Sequence, residues 1–232
     1  CGYCPRFGCE FGSKSSSLAS VIRMAEHTNR CEVRSDSYVA RIETNGQGRV
    51  SGAVYFDSKK KMHLQKAKAV VLCANGAETP RLLLLSESNR FPRGLANSSG
   101  LVGKYLMCDT YTFATGLFDH PLNEYKSIDV TRVVFDYYAA DPKRGFYGGG
   151  GIDSRFGINP IAHAIRGLPP DLPQWGVEWK KLIGEYFTHT MSSLTHLTSL
   201  PLATNTIDLD PELKDDWGLP AMRVTFKMHP DD

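Results

Sequence analysis

The stretch that most restricts what this chain can fold into runs from residue 70 to residue 86. Val70-Val71-Leu72 is an uninterrupted apolar run, Ala74-Asn75-Gly76-Ala77 breaks it, and Thr79-Pro80 opens onto Arg81 and four leucines. An apolar run without alternation predicts a strand covered on both faces, central among parallel neighbours. Thr79 is suited to cap a helix whose first position is Pro80. Strand, small-residue turn and helix N-terminus, in that order, predict an α/β layer. The same order points free N–H groups and the positive end of a helix dipole at whatever lies over the strand's carboxyl end. A ligand bound there is expected to carry negative charge.

Upstream, Ser15, Ser16 and Ser17 offer caps for a helix with Leu18, Val21, Ile22 and Ala25 on one face. Residues 31–43 then alternate, with Tyr38, Ala40 and Ile42 on a common side. Asn45-Gly46-Gln47-Gly48 reads as a hairpin turn, residues 50–57 as the return strand, and 58–61 as a charged second turn. Together these predict a small antiparallel meander.

Beyond Met107 the texture changes. Thr, Tyr and Phe dominate residues 111–138, and a glycine run follows at 148–151, then a proline-rich stretch at 168–173. A helix is predicted over 178–187, with strands over 191–200 and 223–227. The shift predicts a boundary near 107 and a second unit that is mainly antiparallel. The glycine run lacks G-x-G-x-x-G spacing and reads as a flexible loop. The acidic residues Asp208, Asp210, Asp215 and Asp216 read as a solvated turn, and Lys59, Lys60 and Lys61 as a solvated hairpin tip. The histidines at 63, 120, 163, 189, 196 and 229 lack metal-ligand spacing, and surface or core packing is the default for His189 and His196.

Charge excludes some partners. With 27 Lys and Arg against 25 Asp and Glu, nothing favours nucleic acid or an anionic membrane. The longest apolar runs, 70–73 and 82–85, are too short to span a bilayer. A chain that opens on Cys1 and stops at His229-Pro230-Asp231-Asp232 reads as an internal piece of a longer protein.

The six cysteines stand at 1, 4, 9, 31, 73 and 108, and three of them crowd into the first nine residues. Cys1, Cys4 and Cys9 are close enough in sequence to share a metal or an iron–sulfur cluster. On spacing alone they fit better a tight glycine-containing turn with free or disulfide-linked thiols, since a structural zinc would need a fourth ligand and the nearest histidine, His27, stands at the far end of a helix.

Three stretches, in order, resemble the glucose–methanol–choline flavoprotein family. The first is Cys4-Pro-Arg-Phe-Gly-Cys-Glu-Phe-Gly-Ser-Lys-Ser-Ser16, similar to the gluconate and sugar dehydrogenase branch. The second is Val70-Val-Leu-Cys-Ala-Asn-Gly-Ala-Glu-Thr-Pro-Arg-Leu-Leu-Leu-Leu-Ser86. The third is residues 205–220 with Trp217-Gly218-Leu219-Pro220, followed by His229-Pro230. The family pattern is not matched throughout: Asn75 stands where many relatives have Gly, Ser86 is followed by Glu87, and Cys108-Asp109 replaces a frequent Asp-His.

The resemblance implies a partial, Rossmann-like FAD-binding domain over residues 1–107, with the antiparallel meander, and an α+β substrate-binding domain on an antiparallel sheet over 108–232. It implies an FAD-dependent oxidoreductase, a dehydrogenase of a sugar, sugar acid or other alcohol that transfers hydride to flavin. The electrons would pass to an external acceptor, a cytochrome c or a small subunit. Val39 matches a position whose backbone meets the adenine of FAD. Ala74, Asn75 and Gly76 match a turn beside the ribityl–pyrophosphate region. Cys1, Cys4 and Cys9 are candidate ligands of an iron–sulfur cluster. The family's pyrophosphate-binding glycines and catalytic histidine are expected outside this chain, so no catalytic residue is assigned, His229 included. The alternative from another class is a non-catalytic metal or redox module built on the three cysteines.

Overall fold

The computed structural model describes residues 8–126, 130–155 and 160–232. They form a mixed α/β structure whose sheets are all antiparallel. The chain divides into two compact units, and each is discontinuous. One, the meander unit, joins Arg23–Cys108 to Pro201–His229. The other, the sheet unit, comprises Asp109–Leu200 and Pro230–Asp232 together with the described residues of the N-terminal segment up to Ile22.

Alternation builds the meander unit. Strands β1 (Tyr38–Thr44), β2 (Val50–Phe56) and β3 (Met62–Lys66) pair in the order β1-β2-β3. Ala40, Ile42, Val54 and Phe56 point inward and are buried, as a period of two requires of a half-covered sheet. Asn45 Oδ1 accepts from the N–H groups of Gln47 and Arg49 and so fixes the first turn. Helix α2 (Asn75–Leu85) lies on the meander. At its C-terminal end Ser86 Oγ accepts from Ile42 N–H at 2.8 Å and donates to the Leu82 carbonyl at 2.6 Å.

The return segment completes this unit. Strands β8 (Thr206–Lys214) and β9 (Pro220–Thr225) form a two-stranded ribbon. The chain leaves the unit and comes back to it at one place. Ile207 N–H donates to Gly103 O at 2.7 Å, and Leu106 N–H to Asn205 O at 3.1 Å. Gly103 has φ +78°, and a Cβ there would come within 2.0 Å of the Ile207 carbonyl oxygen, so only glycine allows this approach.

The sheet unit carries the order β4-β7-β6-β5, formed by β4 (Thr110–Leu117), β5 (Val130–Val134), β6 (Gly150–Arg155) and β7 (Thr190–Leu197). Two helices accompany it, α3 (Pro160–Arg166) and α4 (Gly176–His189). Direct pairing of Thr115 with Ser192 and of Arg155 with Ser192 puts these three side chains on one face of the sheet.

Several expectations need correcting. Residues 67–74 form no strand, and Val71 is 84% exposed. A strand exists only through its ladder, and no described strand lies beside this run to pair with it. Helix α2 starts at Asn75 rather than after Thr79, because Asn75 Oδ1 caps it. Pro80 therefore sits inside the helix, where it removes one ladder bond near the N-terminus. The first strand begins at Tyr38, not residue 31. The early helix is a π-helical turn, Leu18–Ile22, running into the short α1 (Arg23–His27), and Leu18 and Val21 remain exposed.

The glycine run is no flexible loop. Gly150 and Gly151 open β6, and a Cβ on Gly149 would meet two carbonyl oxygens at 2.4 Å. The acidic run is not a solvated turn either, because Asp208 pairs with Arg223 and Asp215 with Arg81.

Candidate functional site

The turn at 74–76 is the first candidate. Asn75 adopts φ +68°, a left-handed conformation that Asn tolerates better than most residues. This turns its carboxamide back over the helix. Oδ1 accepts from Ala77 N–H at 2.8 Å and from Glu78 N–H at 3.0 Å. Two of the donors that sequence reasoning left free for a ligand are therefore already used. The Glu78 carboxylate occupies the first turn as well, where the dipole favours it. The turn is consequently a poorer anion site than its sequence predicts. What remains open is Gly76, since a Cβ built there would meet nothing within 4 Å. This is a surface that a neutral part of a large ligand can approach closely.

Val39 lies in β1, an edge strand of its sheet, and is 40% exposed. An irregularity in the pairing between Val39 and Arg41 loosens the ladder there. Edge backbone of this kind keeps groups available for a ligand. Along α2, Arg81 Nη1 donates to Tyr38 Oη at 2.8 Å.

Cys1 and Cys4 lie outside the described residues. Cys9 is a free, half-buried thiol whose Sγ accepts from Ser13 N–H at 3.2 Å. Hydrogen bonds from the backbone at Lys14 and Ser13 hold its pKa below the usual thiol value. Among the described residues no group of three or more His, Cys, Asp and Glu side chains could hold a metal ion.

Sequence reasoning missed two polar clusters. In the meander unit Arg81 is 4% exposed. Its guanidinium reaches Asp215 at 2.6 Å, the Pro220 carbonyl at 2.8 Å, Tyr38 Oη at 2.8 Å and Glu78 at 3.2 Å. Burial draws the Arg81 pKa down, but bonds to Asp215 and Tyr38 hold it above its ordinary value. Burial would raise Asp215, yet Arg81 and the N–H groups of Leu219 and Trp217 hold it below the carboxylate range. Trp217 stacks on Tyr38 at 5.2 Å and on Phe56 at 5.5 Å, closing the cluster. No spacing signal could have found this, since the partners are 134 residues apart.

In the sheet unit the buried Asp153 receives Arg155 and His196 Nε2, the latter at 3.0 Å. The Arg155 hydrogen bond, aided by His196, depresses its pKa. Both clusters are sets of ion pairs with the geometry of structural ties.

Residues 1–109 match the family model for GMC oxidoreductase. Across 204 aligned residues the chain is 34% identical to the 2-methyl-1,2-propanediol dehydrogenase of Mycolicibacterium austroafricanum, covering 87% of this chain and 37% of that protein. It is 28% identical to the gluconate 2-dehydrogenase flavoprotein of Pantoea cypripedii, over 100% of this chain and 38% of the relative. It is 27% identical to the fructose dehydrogenase large subunit of Gluconobacter japonicus, over 94% of this chain and 39% of the relative. The chain spans less than two fifths of the length of each of these three relatives.

Proposed function

Proceeding from this chain's membership of the GMC oxidoreductase family, we propose that the protein carrying it is an FAD-dependent dehydrogenase of CH–OH groups in sugars, sugar acids or other alcohols. The observation that carries the reading is the family match over residues 1–109. FAD, when bound, accepts hydride from the alcohol carbon. Residues 1–107 belong to the FAD-binding domain. Residues 108–232 belong to the substrate domain.

Within this chain, Gly76 offers the open backbone against which the flavin nucleotide packs, and Ala74 and Asn75 shape that turn. With Asn75 filling the nearest donors, contact at the turn suits the ribityl hydroxyls better than the pyrophosphate. Val39 supplies edge backbone for the adenine. Electrons leave to an external acceptor, a cytochrome or a partner subunit; the fructose-oxidising relative is itself named a large subunit.

The test is Gly76→Val in the full-length protein. The open space means that folding is expected to be unchanged, while FAD retention falls by about tenfold or more, as a clash worth ~1.4 kcal/mol requires. Unchanged FAD content, read from the flavin absorbance, would remove the turn from the cofactor site. Failure of any sugar, sugar acid or diol to bleach the flavin of the wild-type protein would defeat the dehydrogenase reading. The cluster role of Cys1, Cys4 and Cys9 is a separate proposal. Iron and acid-labile sulfide assays on the same preparation decide it.

A further inference from the structure

Asn-Gly occurs twice in the chain, at Asn45-Gly46 and Asn75-Gly76, and the fold gives the two pairs different settings. Both asparagines are exposed, and in both Oδ1 accepts from two backbone N–H groups further along the chain. A carboxamide oxygen held by two donors is polarised, and the same donors stabilise the oxyanion that forms when a nucleophile adds to its carbon. The closest nucleophile is the peptide nitrogen of the following glycine, which is tethered to that carbon and carries no Cβ to crowd the approach.

Asn75 and Gly76 are the first two residues of helix α2, so attack there has to unwind a turn that the asparagine itself caps. The Glu78 carboxylate in the same turn opposes developing negative charge. Asn45 and Gly46 instead stand at the tip of the β1–β2 hairpin, outside both strands, with Gln47 exposed beside them. Loop tips open locally at lower cost than helices or ladders. The backbone bonds of this turn run from Asn45 N–H to the Arg49 carbonyl and from Gly48 N–H to the Asn45 carbonyl, and leave the Gly46 nitrogen unused. The charges close by are cationic. Arg49 follows the turn, and the Arg90 side chain lies over Gly48, where a Cβ would meet its Nε at 2.5 Å. Glu43, the nearest acid on β1, is already paired with Arg41.

We propose that Asn45 is a site of spontaneous deamidation, and that helix α2 protects Asn75 in the same dipeptide. The Gly46 nitrogen bonds to Asn45 Cγ and gives its proton to hydroxide. The Cγ–Nδ2 bond breaks, and the amide nitrogen takes a proton from water and leaves as ammonia. Water then opens the five-membered imide at either carbonyl, giving aspartate or isoaspartate. Aspartate keeps an oxygen for the Gln47 and Arg49 N–H groups. Isoaspartate routes the chain through the former side chain, adds a carbon to the turn and loses both bonds, which loosens the adjoining Thr44–Val50 pair. The site stands independently of the oxidoreductase reading.

Peptide mass spectrometry of the full-length protein, aged in mildly alkaline buffer, tests this. The peptide holding Asn45 should exchange amide for acid about tenfold faster than the one holding Asn75, or more, each factor of ten reflecting ~1.4 kcal/mol of added cost in opening the helix. Gly46 has open space around it and no positive φ, so Gly46→Ala should fold normally and slow the conversion by about tenfold, ~1.4 kcal/mol on the barrier. Equal rates at the two asparagines, a faster Asn75, or a Gly46→Ala rate equal to that of the wild type overturns the proposal. So does an Asn45 peptide that stays unchanged in the folded protein after denatured protein has converted fully.

Discussion

Arg81 in the meander unit and His163 in the sheet unit are buried to the same degree, 4% and 3% exposed, yet their surroundings differ completely. Every face of the Arg81 guanidinium is met by an acceptor that this chain itself supplies. The His163 imidazole, held just as firmly, keeps an Nε2 with no hydrogen-bond partner. The difference teaches how to separate a buried charge that holds a fold together from a buried base kept in place by packing. The first is closed and the second is one partner short.

Three substitutions sharpen or break that contrast. The largest effect belongs to Arg81→Ala. It leaves the Asp215 carboxylate without its cationic partner, and removing one member of a buried pair typically costs 3–5 kcal/mol. Denaturant unfolding of the full-length protein should show that loss, and a change below ~1 kcal/mol would mean the cluster is not a tie.

Asn75→Ala comes next. It removes the carboxamide that serves two helix N–H groups and places alanine at a positive φ, together worth about 1–2 kcal/mol. The midpoint of the same unfolding curve measures it. Asn75→Gly, which relieves the backbone strain but not the lost bonds, should recover part of the stability.

The smallest effect is one of pH. Burial lowers the His163 pKa below the ordinary histidine value, partly opposed by the Ile183 backbone. A base whose folded pKa is depressed takes up its proton more readily when unfolded. Stability contributed by neutral His163 is therefore complete above pH ~6.5 and declines as pH falls through the unfolded value toward the folded one. His163→Phe should flatten that part of the stability–pH curve. An unchanged slope would mean that His163 is not titrating as a buried base.

Periodicity made the meander legible: Ala40 and Ile42 point where alternation puts them, and the Asn45 turn forms where its residues predict. Helix α4 was equally readable, extending only two residues beyond each predicted end. The strand at 70–73 was misread because an apolar run predicts burial without saying what will cover it. Helix α2 was misplaced because two rules competed for its start, and a side-chain cap at Asn75 outweighed proline's preference for the first position. The candidate cofactor turn was visible in sequence, but its donor count was not, since Asn75 spends its carboxamide on its own helix. The burial of His163 was invisible. Only the fold brings Thr115, Ser192 and Phe187 around it.

The discontinuity of the meander unit has a consequence for the chain while it is being made. Arg81 leaves the ribosome 134 residues before Asp215, which at cellular synthesis rates is on the order of 10 s. During that interval Asp109–Leu200, the main part of the sheet unit, can fold, while Arg81 and Tyr38 still lack Asp215. Helix α2 and the nascent meander must wait with one side uncovered. Premature release in that window yields a chain with its second half formed and its first half unlatched, a species for chaperones to hold until β8 and β9 arrive.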